Sequence, residues 1–130
     1  MKYAKLNKRL LNRVLRHIKA EPRRFSMSTF CQESDAAPCG TQACIGGWAY
    51  LLSVPKKQWE RAKRGKVNFQ KVLIPLLGLT DPEYRSLCLT LTHQSGKRGV
   101  RIAERKINLL KTDREKFIRE YPYCGCKWRN

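Results

Sequence analysis

Leu77-Gly78-Leu79-Thr80-Asp81-Pro82-Glu83-Tyr84-Arg85-Ser86-Leu87-Cys88 is the stretch that decides the fold class. Gly78 is suited to ending a helix, because without a Cβ it enters the left-handed conformation at no steric cost. A new helix opens directly afterwards. Thr80 supplies a capping hydroxyl, Asp81 and Pro82 suit a first turn, and Glu83 stands where a capping box needs its reciprocal carboxylate. Tyr84, Leu87, Cys88 and Leu91 then recur at helical spacing and form an inward face.

Working outward, the same punctuation repeats. Phe69 to Leu77 reads as a short helix disturbed by Pro75, and Pro55 opens another to about Arg64, anchored by Trp59. A helix from about Thr41 to Leu52 carries Ala43, Gly46 and Gly47, small residues that admit a second backbone, with Trp48, Leu51 and Leu52 buried. Residues 25–38 read as a short apolar turn followed by a polar loop. Tyr3, Leu6, Leu10, Leu11, Val14, Leu15 and Ile18 form the apolar stripe of a first helix that ends before Pro22. Towards the C-terminus, Ser95 to Gly99 reads as a flexible basic loop. Val100, Ala103, Ile107 and Leu110 mark a helix, and Thr112-Asp113-Arg114-Glu115 is a second capping box. The last helix holds Phe117 and Ile118 and stops before Pro122. With no repeat and no convincing strand, the expectation is an all-α, compact single domain of about six or seven short helices over 1–120, with a basic Cys/aromatic tail over 121–130.

Charge narrows the function. The chain has 28 Lys+Arg against 10 Asp+Glu, a net +18 on 130 residues. Residues 1–24 hold nine basic residues and one acidic, 55–75 seven and one, and 97–130 eleven and four. The two intervening segments are slightly acidic. Self-repulsion of this size destabilises a compact state unless a polyanion relieves it. The 42% hydrophobic content supports a core, so the chain is not a disordered basic tail. No run approaches the roughly 18 apolar residues of a membrane span. The basic N-terminus lacks a continuous apolar segment, so no secretory signal is expected and a cytoplasmic location follows. Charge alone also suits a membrane surface.

Cys39-Gly40-Thr41-Gln42-Ala43-Cys44-Ile45-Gly46-Gly47-Trp48-Ala49 resembles the signature C-G-T-x-x-C-[IL]-[AG]-G-W-A of a group of small, uncharacterised bacterial and phage proteins. The resemblance extends through His17-Ile18, Pro22, Phe25 and Met27 upstream and Leu77-Gly78-Leu79 downstream, roughly the first two-thirds of the chain. It implies a helical core and a prokaryotic or phage origin, and no activity. This sequence departs from the group in its basicity and its Cys124-Gly125-Cys126 tail, which suggests a scaffold turned to a nucleic-acid purpose.

The cysteines admit three readings. Cys39 and Cys44, with Cys124 and Cys126, are two close pairs, the arithmetic of a shared zinc site, although the spacings are not those of zinc knuckles. Cys44 in the first turn of a helix would favour a thiolate and a redox role with Cys39. Burial of Cys44 and Cys88 as small hydrophobes is the third reading and the expected one, with no cofactor. Thr41 is expected to be a helix N-cap; the other reading is an anion site at Gly40-Thr41.

Catalysis is not expected. His17 and His93 are the only imidazoles, nothing brings them together as the acid and base of a small basic ribonuclease, and His17 near a helix end serves the dipole. The expected function is phosphate-backbone binding of nucleic acid or a ribonucleoprotein, RNA slightly ahead of DNA because no helix opens with base-reading side chains. The contact residues are Lys5, Arg9, Arg13 and Arg16 on one acid-free helical face, Lys56, Lys57, Arg61, Lys63 and Arg64, and Lys97, Arg98, Arg101 and Arg105 in the Lys97–Lys106 segment. Lys127, Trp128 and Arg129 in the tail add charge and a stacking ring. The alternative is docking on an acidic protein surface, as an interaction or inhibitor protein does.

Overall fold

A computed structural model describes residues 4–27, 32–33, 41–89 and 95–122. Seven α-helices are present among them: α1 (Lys8–Ala20), α2 (Ile45–Ser53), α3 (Trp59–Lys63), α4 (Phe69–Leu77), α5 (Asp81–Cys88), α6 (Gly96–Thr112) and α7 (Arg114–Glu120). Single 3₁₀ turns lie at Pro22–Arg24 and Lys56–Gln58. The all-α expectation holds, with one addition. Gln32–Glu33 (β1) and Thr41–Gln42 (β2) pair antiparallel, Gln32 opposite Gln42 and Glu33 opposite Thr41. No helix among the described residues is long and apolar enough to cross a membrane.

The central helix is α2, whose sequence IGGWAYLLS has no charged residue. Such a segment is stable only when covered on all sides. It packs on α1, α4 and α5, and Ile45, Gly46, Gly47, Trp48, Ala49 and Leu51 are all buried. Trp48 is 0% exposed, and its indole Nε1 donates to the Arg24 carbonyl at 2.9 Å. The guanidinium of Arg24 lies 4.6 Å from the Trp48 ring, and Trp59 meets that ring edge-on at 5.9 Å. The backbone beside Arg24 ties three elements together. Ser26 N–H donates to the Ala43 carbonyl, Ala43 N–H to that of Arg24, and Gly96 N–H to that of Phe25.

Several boundaries differ from expectation. The first helix begins at Lys8, where Asn7 Oδ1 accepts from the Leu10 N–H at 3.1 Å; residues 4–7 run outside the helix. Thr41 lies in β2, and the N-cap of α2 is Cys44, whose Sγ accepts from the Gly47 N–H at 3.3 Å. The helix expected from Pro55 is divided into a 3₁₀ turn and the short α3. The supposed loop Ser95–Gly99 is the first turn of α6, entered through Gly96 at φ +62°. The cap of α7 is Asp113, which accepts from the Lys116 N–H at 3.0 Å, while the Thr112 hydroxyl donates back to the Asn108 and Leu109 carbonyls. At the starts of α2 and α7 two neighbouring residues offer capping atoms, and packing decides between them.

The Gly78–Glu83 segment behaves as read. Gly78 closes α4 at φ +73°, and a Cβ there would meet the Lys5 carbonyl oxygen at 2.1 Å. Thr80 and Glu83 form the reciprocal capping box of α5. Glu83 is 0% exposed, and Arg114, the first residue of α7, closes on it from the other side. Arg114 Nε and Nη2 donate to Glu83 Oε2 at 2.8 Å and Oε1 at 2.6 Å. Nη2 also donates to the Gly78 carbonyl at 2.8 Å, and Nη1 to that of Ala4 at 2.6 Å.

Two outcomes test this core. Trp48→Ala should lower unfolding free energy by about 3–5 kcal/mol in chemical denaturation, as large buried truncations do. Glu83→Ala should cost about 3–5 kcal/mol, because the Arg114 guanidinium is left without its counter-charge. A denaturation midpoint unchanged in either variant contradicts its assigned place in the core.

Candidate nucleic-acid interface

Helices α1 and α6 carry most of the unneutralised charge. The sequence of α1, KRLLNRVLRHIKA, holds five Lys or Arg residues and no acid. That of α6, GKRGVRIAERKINLLKT, holds six and only Glu104. The two helices pack on each other and run antiparallel, as two cross-helix contacts establish. Lys19 Nζ meets Glu104 Oε2 at 2.8 Å near the C-terminal end of α1, and Lys111 Nζ donates to Asn12 Oδ1 nearer its start. Both pairs are separated by seven residues on each helix, two full turns, so they mark one seam. The exposed ion pair contributes little energy and mainly fixes register.

Helical periodicity then places the other cations. Arg9 and Arg16 are one turn to either side of Asn12, on the seam's outer edge, with Arg13 beside them. Lys97 and Arg101 precede Glu104 by seven and three residues along the facing edge of α6, with Arg105 adjacent. All six are exposed, and none forms an ion pair with a described residue. Arg98 is exposed on the flank of α6. Lys8 and Lys111, which the sequence reading passed over, belong to the same face: Lys8 lies one turn before Asn12 and Lys111 seven residues after Glu104, spacings that are legible only once the seam is known.

The remaining expected contacts are elsewhere. Lys56 and Lys57 sit in the 3₁₀ turn, Arg61 and half-buried Lys63 in α3, and Arg64 caps that helix. Their segment packs on β1 and, through Trp59, on α2, away from the α1–α6 seam, and Lys56 Nζ lies 5.7 Å from the Trp59 ring. Lys5 is exposed in the segment leading into α1. Lys127, Trp128 and Arg129 lie outside the described residues, as do Leu91 and His93. The Lys97–Lys106 segment needs one correction. Lys106 is buried, donates to the Ser86 carbonyl at 3.3 Å and lies 5.4 Å from the Tyr121 ring, so it is not a phosphate contact. Burial holds its ammonium pKa below the usual value.

His17 also departs from expectation. It is half-buried against Trp48, ring centroids 4.3 Å apart, with Nε2 buried and without a partner among the described residues. Burial and then the charge of Arg24 lower its pKa, against a smaller opposing effect of Glu21. Burial against Trp48 and the charge of Arg24 thus favour the neutral imidazole and weaken the contribution that a cation would make at the helix end. Cys44 and Cys88 are buried. The Cys88 thiol is pushed well up by burial and next by Cys44, with Lys106 opposing. Among the described residues no three His, Cys, Asp or Glu side chains converge as a metal requires, and Cys39, Cys124 and Cys126 lie outside them.

Compared with known protein families, curated proteins and solved structures, the chain matches none.

The His17 environment predicts a pH dependence. Its folded pKa lies below the ordinary 6.5, so the unfolded chain binds the proton more readily. Stability from this group is complete above pH 6.5 and declines as pH falls through the folded pKa. In thermal melts from pH 7.5 to about pH 5, His17→Gln should show a shallower loss than the parent below pH 6.5. Parallel curves would exclude the imidazole as the cause.

Proposed function

We propose that this protein binds nucleic acid through the phosphate backbone, on the outer face of α1 and α6. The observation that carries this reading is the convergence of Arg9, Arg13, Arg16, Lys97, Arg101 and Arg105 on two antiparallel helices without neutralising acids. Their placement works against stability. Both helices open with two cations, Lys8-Arg9 and Lys97-Arg98, and neither has an acid in its first turn. Cations at a helix N-terminus oppose its dipole, by about 0.3–1 kcal/mol each. An acidic ligand along the face offsets both this penalty and the mutual repulsion of the side chains. RNA is favoured slightly over DNA, because charge also extends to the α3 region and no helix start presents a base-reading set.

Fluorescence anisotropy with single- and double-stranded DNA and RNA of unrelated sequences tests the proposal. For contact with roughly 6–10 phosphates, affinity for duplex DNA should fall about 10³–10⁵-fold between about 50 and 200 mM salt. Replacing Arg9, Arg13 and Arg16 by Gln should make the log–log salt slope shallower by roughly three units for a duplex. The same change at Lys97, Arg101 and Arg105 should have a similar effect, and both should act alike on every sequence. Lys116→Gln, in the α7 pair with Glu120 at 3.6 Å, should leave binding unchanged. Undetectable binding at 50 mM salt, or salt-independent affinity, would redirect attention to an acidic protein surface.

A further inference from the structure

At one end of the α1–α6 seam lies a cleft of about 810 Å³. It is formed where the segment entering α1 meets the last turn of α6, the start of α7 and the end of α4. Its lining includes five cations, Lys5, Lys8, Arg9, Lys111 and Arg114, and no acid. Leu6, Leu76 and Leu110 supply apolar surface.

The five cations differ in what they have left to offer. Arg114 is neutralised by Glu83 and satisfied by the Ala4 and Gly78 carbonyls, so it belongs to the wall. Lys111 donates to the neutral amide of Asn12 and keeps its charge. Lys5, Lys8 and Arg9 are exposed and form no ion pair with a described residue. Four uncompensated positive charges therefore surround one concavity, more than the single charge of a phosphodiester requires. A phosphate monoester carries about −1.5 to −2 at neutral pH and three acceptor oxygens, which several such donors can share. The cleft volume falls within the roughly 300–1,000 Å³ of small-ligand sites, large enough for a sugar and base as well.

We propose that this cleft binds the phosphate monoester of a terminal nucleotide, so that the protein prefers nucleic-acid strands with a phosphorylated end. The inference rests on the α1–α6 face being a nucleic-acid surface, because the cleft takes the end of a strand that lies along it. Lys5, Lys8 and Lys111 clamp the monoester, Arg9 joins the cleft to the rest of the face, and the leucines border the terminal sugar and base. A nucleoside monophosphate offers the same chemistry without the strand.

The test compares oligonucleotides of one sequence bearing a 5′-phosphate, a 3′-phosphate or hydroxyls at both ends, together with free nucleoside monophosphates as competitors. An oligonucleotide with one terminal phosphate should bind roughly tenfold more tightly than the hydroxyl-ended strand, the size of a charge-assisted hydrogen bond. Lys5→Gln combined with Lys8→Gln should abolish that preference; both lysines also belong to the basic face, so the hydroxyl-ended strand weakens too, and the readout is the ratio of the two affinities, which should fall from roughly ten to about one. Both side chains are exposed, so circular dichroism and melting should be unchanged. Equal affinity for all ends, with binding still salt-dependent, would overturn the cleft proposal and leave the helical face standing. Binding of free monophosphates in a Lys5- and Lys8-dependent way, with no oligonucleotide bound, would support the cleft chemistry while removing the nucleic-acid face. Absence of binding by every probe would overturn both.

Discussion

The bidentate contact between Arg114 and Glu83 is the constraint on which the rest of the structure depends. The carboxylate is fully buried, yet it has two jobs: it closes the capping box of α5 on the Thr80 N–H at 2.8 Å and receives the guanidinium of α7. The same guanidinium reaches Ala4 and Gly78, so the entry to α1, the end of α4 and the starts of α5 and α7 meet at one side chain. Burying a lone charge is prohibitive, whereas a hydrogen-bonded pair with its remaining donors satisfied is tolerated. The cost of desolvation is thereby converted into a strict requirement on how four segments join.

That junction also sets where α1 lies. Asn7 N–H donates to the Leu77 carbonyl at 2.9 Å and Asn7 Nδ2 to that of Leu76 at 3.1 Å, which anchors the residues ahead of the helix to α4. Gly78 permits the approach, since a Cβ would strike the Lys5 carbonyl. With its start held there and its apolar stripe of Leu10, Leu11, Val14 and Ile18 turned inward, α1 presents its basic stripe outward beside α6. The uncharged α2 lies beneath and admits no compensating acid. Charge is thus segregated by burial: the uncharged α2 lies in the core, and α1 and α6 turn their apolar stripes inward and all their cations but Lys106 towards the surface.

Much of this was legible in the residues. The apolar period of α1, the Gly78 stop, the Thr80–Glu83 box and the burial of Trp48 are local or periodic signals, and each is realised. The misplaced boundaries turn on choices that neighbouring residues alone do not rank. At 41–45 a threonine and a cysteine both offer capping atoms, and pairing of Thr41–Gln42 with β1 leaves the cap to Cys44. At 112–113 the Thr112 hydroxyl turns back to its own helix, so Asp113 caps the next one. At 95–99 two glycines and two cations look like a loop, but Ser95 and Gly96 are fixed to the backbone at Phe25–Ser26, and α6 starts from that support.

The sequence by itself determined an all-α fold class and three basic segments alternating with two near-neutral ones, because helix period, caps and charge are properties of neighbouring residues. Only the tertiary structure decided which basic segments share a surface. The α1–α6 seam joins residues 12 and 111, and 19 and 104, pairings that no local pattern encodes. It likewise withdrew Lys106 into the core and His17 against Trp48, since whether a polar side chain faces water depends on the helices packed over it. The positive cleft arises in the same way, from Lys5, Lys8 and Lys111 brought together by contacts about a hundred residues apart, such as Arg114 with the Ala4 carbonyl, |i−j| = 110.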